Sequence, residues 1–544
     1  MKYRIQQLKM RLDHDEKTIE KAICAILGTG IEGIASWNIA KKSFDAREKA
    51  SIRVIYSVDV EMKKPLRRGL AGRDVLPLDD DERYRFPLGE ASKATGAQRR
   101  EVIVVGGGPA GLFCALLLAE NGFRPIILER GGDVESRMRS VGLFWDFGIL
   151  DPDSNMQFGE GGAGTFSDGK LNTSVGDKLC RNRKVIEEFL EAGAPPEIAY
   201  INKPHIGTDY LVGVVRNIRK KIENLGGEVR FRSKVTSFEI KDGKIRALWV
   251  NGREKIEASM VVLAIGHSAR DSFEELSRSS VRMERKPFAI GLRIEHRQAM
   301  IQKSQFGASW KNPHLPAADY KLTYQTTKGR GVYSFCMCPG GFVVNSSSEQ
   351  GMVVCNGMSN FVRDERNANS AIVAAVRTED FGSDGPLAGM EFQRTWERAA
   401  FSAANPDGKG FAMPAQTLKD FLGGRCSSSF GDIAPCSKGA TSFADLNACL
   451  PAFVAEAIKE SVAAFDRKIK GFGHPDAVLS GVETRTSSPI RILRDDRMQS
   501  SVAGLFPCGE GCGYAGGIMS AAMDGIKVAE AIAAATLTAG GNNS

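Results

Sequence analysis

The chain has 544 residues, of which 42% are hydrophobic and 25% charged, the composition of ordinary globular domains rather than of a disordered or fibrous chain. That length predicts two or three domains around a large core. The net charge of +8 is uneven: residues 1–75 hold 16 Lys and Arg against 10 Asp and Glu, which leaves only +2 for the remainder and excludes a strongly basic catalytic body.

From the N-terminus, MKYRIQQLKMRLDHDEK carries charges throughout and has no apolar core, so it does not read as a signal peptide. Tyr3 to Leu12 is expected as a strand. Glu16 to Leu27 follows as a helix with Ile19, Ala22, Ile23 and Ile26 on one stripe, then Ile34 to Ala40 and the alternating run Ile52 to Val60 as strands. Residues 1–75 thus read as a small basic α+β domain. Residues 76–98, polar with two prolines and two glycines, read as a linker.

Residues 99–285 change to an α/β pattern. Val102 to Val105 is an apolar, β-branched run suited to a buried parallel strand. Gly106, Gly108 and Gly111 then form G-x-G-x-x-G where a helix, Pro109 to Asn121, must start. A second strand, Pro125 to Leu128, ends in Glu129. Gly106 serves the tight turn, and Gly108 allows close approach of a pyrophosphate. Pro109 and Ala110 open a helix N-terminus that attracts the anion, and Gly111 permits close helix–strand packing. Glu129 is placed to accept from a ribose, and the neighbouring Arg130 and Arg137 carry guanidinium groups for phosphate. Further on, amphipathic helices are expected over Lys184–Ala192 and Gly213–Leu225. Short strands are expected from Glu228 to Ala258, among them the one opened by Val235, and an apolar strand over Val261–Ile265.

Residues 286–480 mix strand-like runs, such as Gly331–Cys338 and Gly351–Met358, with a helix from Leu450 to Lys470, and read as an inserted substrate or cap domain. Residues 481–544 return to the first fold. The fold class expected is therefore α/β: a discontinuous FAD-binding Rossmann-like domain, an inserted α+β substrate or cap domain, and the small N-terminal α+β domain.

FAD is preferred over NAD because two later segments resemble those of two-dinucleotide-fold flavoproteins of the glutathione reductase superfamily. Val261 to Asp271 resembles their second cofactor sequence, with Gly266 letting the chain pass the cofactor. Gly504 to Gly525, GLFPCGEGCGYAGGIMSAAMDG, resembles their C-terminal flavin segment. The resemblance implies that Glu510, after Gly509, binds the ribityl chain. It also implies that Gly516, Gly517 and Ile518 present backbone amides to the pyrimidine end of the isoalloxazine. Four further segments, QFGEGGAGTFSDGKL from Gln157, ETRTSSPIR from Glu483, FCMCPGG from Phe335 and KKSFDAR from Lys41, resemble a bacterial family of uncharacterised FAD-dependent dehydrogenases, a single-FAD branch of that superfamily. With one G-x-G-x-x-G, no second, stable NAD(P)-binding domain is expected. Electrons are expected from a small-molecule substrate, or from a transient NAD(P)H or protein donor.

Lys170 and Arg485 are the candidates for holding an anionic substrate or tuning flavin charge, and Tyr514 is an acid/base candidate. Each also has a plain structural reading, Lys170 as the turn partner of Asp168 and Arg485 as a loop arginine. Cys336 and Cys338 alternate along an expected strand, at a spacing that suits neither a strain-free disulfide nor a zinc site, and read as core, and Cys508 and Cys512 as packing residues in a glycine-rich turn. No metal site is expected from six dispersed histidines, and the odd count of eleven cysteines without a C-x-x-C suggests reduced thiols in the cytoplasm. No apolar run reaches the roughly 18–20 residues of a membrane span. The function expected is an FAD-dependent oxidoreductase moving hydride between flavin and an unidentified organic substrate. Two alternatives stand beside it. One is a flavoenzyme of RNA modification that holds RNA with its basic N-terminal domain, although that domain lacks interleaved aromatics or an RNA module. The other is a non-enzymatic FAD-binding sensor.

Overall fold

In the computed structural model, residues 1–66, 72, 74–78, 83–87 and 100–540 are described, with side chains to residue 536. Residues 79–82 and 88–98 of the expected linker lie outside them.

At the N-terminus, β1 (Lys2–Met10), α1 (Glu16–Leu27), β2 (Ile34–Asp45), β3 (Arg53–Met62) and β4 (Val75–Pro77) form one unit, with the sheet in the order β2-β3-β1-β4. Alternation decides its packed face: Tyr3, Ile5, Leu8 and Met10 of β1 and Val54, Tyr56, Val58 and Val60 of β3 are buried together. Ile19, Ile23 and Leu27 of α1 recur at helical spacing and close that face. Asp15 caps α1 by accepting from the Thr18 N–H at 2.8 Å. The unit is tied to the body where β2 meets residues 200–202: the Lys42 N–H donates to the Tyr200 carbonyl at 2.7 Å, and the Asn202 N–H to that of Lys42 at 2.9 Å.

The opening α/β unit follows the sequence closely, as β5 (Glu101–Val105), α2 (Pro109–Glu120) and β6 (Arg124–Leu128). Helix α2 has no polar face because it has no solvent face: every residue from Ala110 to Ala119 is buried. Next come α3 (Val134–Phe147), α4 (Arg181–Glu191), α5 (Thr208–Asn224) and β7 (Glu228–Arg230). A small antiparallel sheet of β8 (Val235–Lys241), β9 (Lys244–Val250) and β10 (Glu254–Glu257) precedes β11 (Val261–Leu263) and α6 (Arg270–Arg278). The helix α3 was not among the expected elements, since its apolar residues are few and its buried face includes Arg137.

The middle of the chain is built on a seven-stranded sheet. Its elements are β12 (Met283–Arg285), β13 (Phe288–Arg297), α7 (Gln298–Phe306), β14 (Thr323–Gln325), β15 (Gly331–Cys338), β16 (Phe342–Asn345), β17 (Cys355–Met358), β18 (Asn367–Val376), α8 (Ala388–Ala404), β19 (Met413–Thr417), α9 (Leu418–Gly423), β20 (Ser437–Lys438), β21 (Thr441–Phe443), α10 (Ala452–Lys468) and β22 (Val478–Glu483). The strand order is β14-β15-β18-β13-β22-β19-β21. Nearly every residue of β13 and β18 is buried, so both faces are covered and alternation is lost. That is why β18, NANSAIVAAV, does not read as a strand by period.

The chain returns through β23 (Ile490–Ile492), which pairs with β12, then β24 (Leu505–Pro507) and α11 (Ile518–Gly540). β24 completes a five-stranded parallel sheet, β24-β11-β5-β6-β7. Across its centre the register aligns Val105 with Leu263 and Leu263 with Pro507. Three segments hundreds of residues apart therefore end side by side at one sheet edge.

Candidate functional site

In a parallel α/β sheet, ligands bind beyond the carboxyl ends of the strands. Here a cleft of about 380 Å³ opens at that edge. Its floor is the three loops that leave β5, β11 and β24. They interlock through glycines. A Cβ on Gly106 would lie 2.4 Å from the Ala264 carbonyl oxygen and one on Gly511 2.4 Å from the Gly266 backbone, while α11 packs on α2 through Gly525, whose Cβ would lie 2.2 Å from the Ala110 carbonyl oxygen. Gly106 also holds φ +104°, which side-chain-bearing residues rarely adopt. Gly111 does not reach the cleft. A Cβ there would sit 2.0 Å from the Gly106 carbonyl oxygen, so this glycine serves close packing of helix on turn.

Gly108, Pro109 and Ala110 line the cleft at the start of α2, whose first-turn N–H groups have no intrahelical partners and point at the site. Glu129 also lines it, but its carboxylate binds the protein first. It accepts from the N–H groups of Gly107 at 2.7 Å and of Gly131 and Gly159 at 2.9 Å each. Of roughly four acceptor positions on a carboxylate, this leaves one for a ribose hydroxyl. Glu129 is thus a clamp on three glycine loops as much as a ligand contact.

Arg130 and Val235 stand at the same end of the cleft. The Arg130 guanidinium lies 4.2 Å from the Phe158 ring centre and donates to Asp271 at 2.8 and 3.2 Å. Burial works to raise the Asp271 carboxyl, but Arg130 and Lys234 outweigh it and hold it at about 2. The expectation for Arg137 needs correction. Its side chain is fully buried and donates to the carbonyls of Asn155, Met156, Gly159, Glu160 and Gly162, so it shapes the 155–162 loop and has no fork left for phosphate.

Gly266, Glu510, Gly516, Gly517 and Ile518 also line the cleft. A Cβ on Gly516 or Gly517 would meet nothing within 4 Å, but the Gly516 N–H donates to the Ser520 hydroxyl at 3.0 Å, so the expectation that it offers this amide to the isoalloxazine is corrected. Gly509 is set behind them, its N–H donating to Asp524 at 2.8 Å. Burial raises the Glu510 carboxyl to about 7 against the opposing charge of Lys286. His267, 3.9 Å from Glu510, is lowered to about 3 by burial and by Arg485 and Arg270. Because the folded protein binds the Glu510 proton more tightly than the unfolded chain, the stability this group contributes is complete below its ordinary 4.5 and is lost as pH rises through about 7. The FAD-free protein is therefore expected to weaken across that window in urea titrations, and Glu510→Gln to weaken less. Buried Glu295, also at about 7, titrates in both proteins, so superimposable profiles would remove Glu510 as the source.

Of the proposed catalytic residues, Lys170 lines the cleft. Its ammonium lies 2.5 Å from Asp168 and also donates to the Met337 carbonyl. Asp168 is completely buried and paired with Arg363 at 2.5 and 2.8 Å. Burial opposes its charge, but Lys170 and Arg363 keep it far below the usual carboxylate range. Arg485 also borders the cleft, yet its donors go to Glu397 at 2.8 and 3.0 Å, Ser348 at 2.7 Å and Glu349 at 3.2 Å. Arg270 grips the same Glu397 from the other side at 2.7 and 2.8 Å. Arg485 is in the first place a member of this buried ion cluster. Tyr514 is a correction: it lies outside the cleft lining, its hydroxyl donates to the Ile492 carbonyl at 3.0 Å, and Arg494 stacks 3.6 Å over its ring.

Sequence reasoning missed Gln157, Ser268 and Cys336. Gln157 accepts from Ser268 at 3.0 Å, and Ser268 contacts His267 at 3.0 Å, which chains the 157 loop to Glu510. Only the position of Gln157 within a singled-out segment signalled it. Cys336, read as core, instead lines the cleft, while Cys338 is buried. Among the described residues no group of three or more His, Cys, Asp or Glu could hold a metal, and no helix is long and apolar enough to cross a membrane.

Three family models match this chain. Residues 287–486 match "FAD-dependent protein, C-terminal domain-like", residues 99–145 match "FAD binding domain", and residues 1–61 match a domain of unknown function. A Clostridium beijerinckii protein described as uncharacterized is 48% identical over 538 residues, covering 98% of each chain. Among solved structures, CtdE in complex with FAD is 12% identical over 80% of this chain and 84% of its own, with a TM-score of 0.32. L-proline dehydrogenase from P. horikoshii is 13% identical over 80% and 94%, with a TM-score of 0.31.

Proposed function

Given that this chain belongs to an FAD-dependent flavoprotein family and binds FAD, we propose that it is an oxidoreductase of the single-FAD, glutathione-reductase-like kind. In this reading hydride passes between the flavin and an organic substrate held against residues 286–480. The observation that carries it is the convergence of the loops after β5, β11 and β24 on one glycine-lined cleft that the N-termini of α2 and α11 both border. Bound FAD would supply two-electron chemistry at its isoalloxazine.

The chain's own residues divide the remaining work. The start of α2 and the Glu129-clamped glycine loops receive the pyrophosphate and the adenosine ribose. Glu510 takes the ribityl chain, and the first turn of α11 stabilises negative charge on the reduced ring. Lys170, held by Asp168, keeps a positive charge at the substrate side. The electron donor in this reading is the substrate itself or a transient NAD(P)H or protein. The purified protein is expected to carry the oxidised-flavin absorbance at about 450 nm and to bleach and recover with a reductant and an acceptor. Absence of that band would overturn the reading, and a flavin that no reductant bleaches would favour a sensor.

A further inference from the structure

The cleft holds a group that the flavin-binding segments do not account for. β15 pairs with β18 regularly up to Phe335↔Ala371 and resumes at Cys338↔Asn369, so one extra residue is accommodated on the β15 side. Such a bulge re-aims a side chain. Cys336 sits in it with φ +43°, a left-handed conformation uncommon for a non-glycine residue and characteristic of functional sites. The consequence is that Cys336 turns into the cleft, beside Phe335 and Asn356, while Cys338 remains buried directly behind it. The Cys338 thiol donates to the Cys336 carbonyl oxygen, its Sγ 3.3 Å away, which ties the two residues together across the bulge.

The surroundings are cationic on both sides. Lys170 bonds to the carbonyl of the intervening Met337. Arg293, fully buried and paired with Glu483 at 2.7 Å, reaches the Cys336 carbonyl at 3.0 Å and Cys338 Sγ at 4.0 Å. The neighbouring Cys338 thiol draws the Cys336 thiol well below its ordinary value; burial opposes this, and Lys170 and Arg293 add to it. Burial and the same partnership push Cys338 up. The two thiols thus differ in acidity, with Cys336 the one that more readily supplies a thiolate. Cys336 lines the same cleft as Glu510, Gly516 and Gly517.

We propose that Cys336 and Cys338 form a redox-active dithiol that exchanges two electrons with FAD, which makes an external dithiol or disulfide the substrate class. This rests on the FAD oxidoreductase reading above and adds the identity of its reacting partner. In the oxidative direction an S–S bond forms between Cys336 and Cys338 and the Cys338 S–H bond breaks. Two electrons and that proton pass to the oxidised isoalloxazine, and the charge of the Cys336 thiolate leaves with the reduced ring. In reverse, the disulfide is reduced to thiolate and thiol. The Cys336 thiolate then exchanges with an external disulfide, which leaves as a dithiol while the Cys336–Cys338 bond re-forms.

The test uses the full-length protein with its FAD. After oxidation by excess oxidised dithiothreitol and its removal, anaerobic dithionite titration is expected to deliver roughly twice as many electrons per FAD to the native protein as to Cys336→Ser or Cys338→Ser. Alkylation and peptide mapping of the oxidised native protein are expected to find 336 and 338 joined. Lys170→Met is expected to slow alkylation of Cys336 at pH 7 roughly tenfold. Both thiols free after oxidation, with the same electron uptake as the variants, would overturn the dithiol even if flavin still bleaches. The oxidoreductase reading fails separately, by a protein without flavin, and the mapping needs no flavin to decide the disulfide.

Discussion

Glu397→Ala is expected to lower stability by about 3–5 kcal/mol, the scale for removing one partner from a buried ion pair. Glu397 on α8 is fully buried and accepts four guanidinium hydrogen bonds, two from Arg270 and two from Arg485, and a fifth from the Thr484 hydroxyl at 2.7 Å. Its removal leaves two buried arginines, with Glu349 as the nearest remaining carboxylate. The urea midpoint should fall with an unchanged slope. A loss under about 1 kcal/mol would show that water or Glu349 compensates the cluster. The pH dependence has a definite sign. Burial works to raise the Glu397 carboxyl, but Arg270 and Arg485 depress it far below its ordinary 4.5. The stability it contributes is therefore present above that value and is lost as acid titrates the group in the native state. Arg485 borders the cleft, so the same variant should also weaken FAD retention.

Gly106→Val is expected to abolish FAD binding, with less than about a tenth of the native flavin retained after gel filtration. The substitution meets two obstacles at once. A φ of +104° costs a β-branched residue about 1–3 kcal/mol, and the new Cβ would lie 2.4 Å from a backbone oxygen of the neighbouring loop. Backbone on both sides cannot yield without separating β5 from β11. Gly516→Ala is the informative companion, because nothing in the protein lies within 4 Å of its added carbon. It should leave the FAD-free protein as stable as the native one and reduce only cofactor affinity. Equal flavin content in Gly106→Val and native protein would contradict the assignment of this turn to the cofactor.

The two halves of the site differed in how far they could be read before folding. The unit from Glu101 to Glu129 was legible because its signals are local. An apolar strand, glycines at a turn, a helix without a polar face and a second strand all act within 30 residues, and the observed β5, α2 and β6 match them closely. Helix α1 was legible for the same reason, its stripe and its cap lying within one segment. Arg137 was misread because an arginine after a dinucleotide turn looks the same whether it faces phosphate or five carbonyls. Those carbonyls come from a loop some twenty residues on. Tyr514 was misread in the same way, since its position beside the flavin segment carries no information about the direction of its ring.

By itself, then, the sequence determined the strand–turn–helix unit, the small N-terminal α+β fold and the order of the three cofactor segments, because these follow from periodicity, backbone freedom and spacing along the chain. Tertiary structure alone decided which side chains face the cleft. One residue inserted in β15 turns Cys336 from the core toward the site. Pairings across more than a hundred residues, Glu397 with Arg270 and Asp168 with Arg363, decide which charges are committed and which remain at the cleft. Such choices rest on contacts between distant segments, where burial and charge pairing outweigh any local preference.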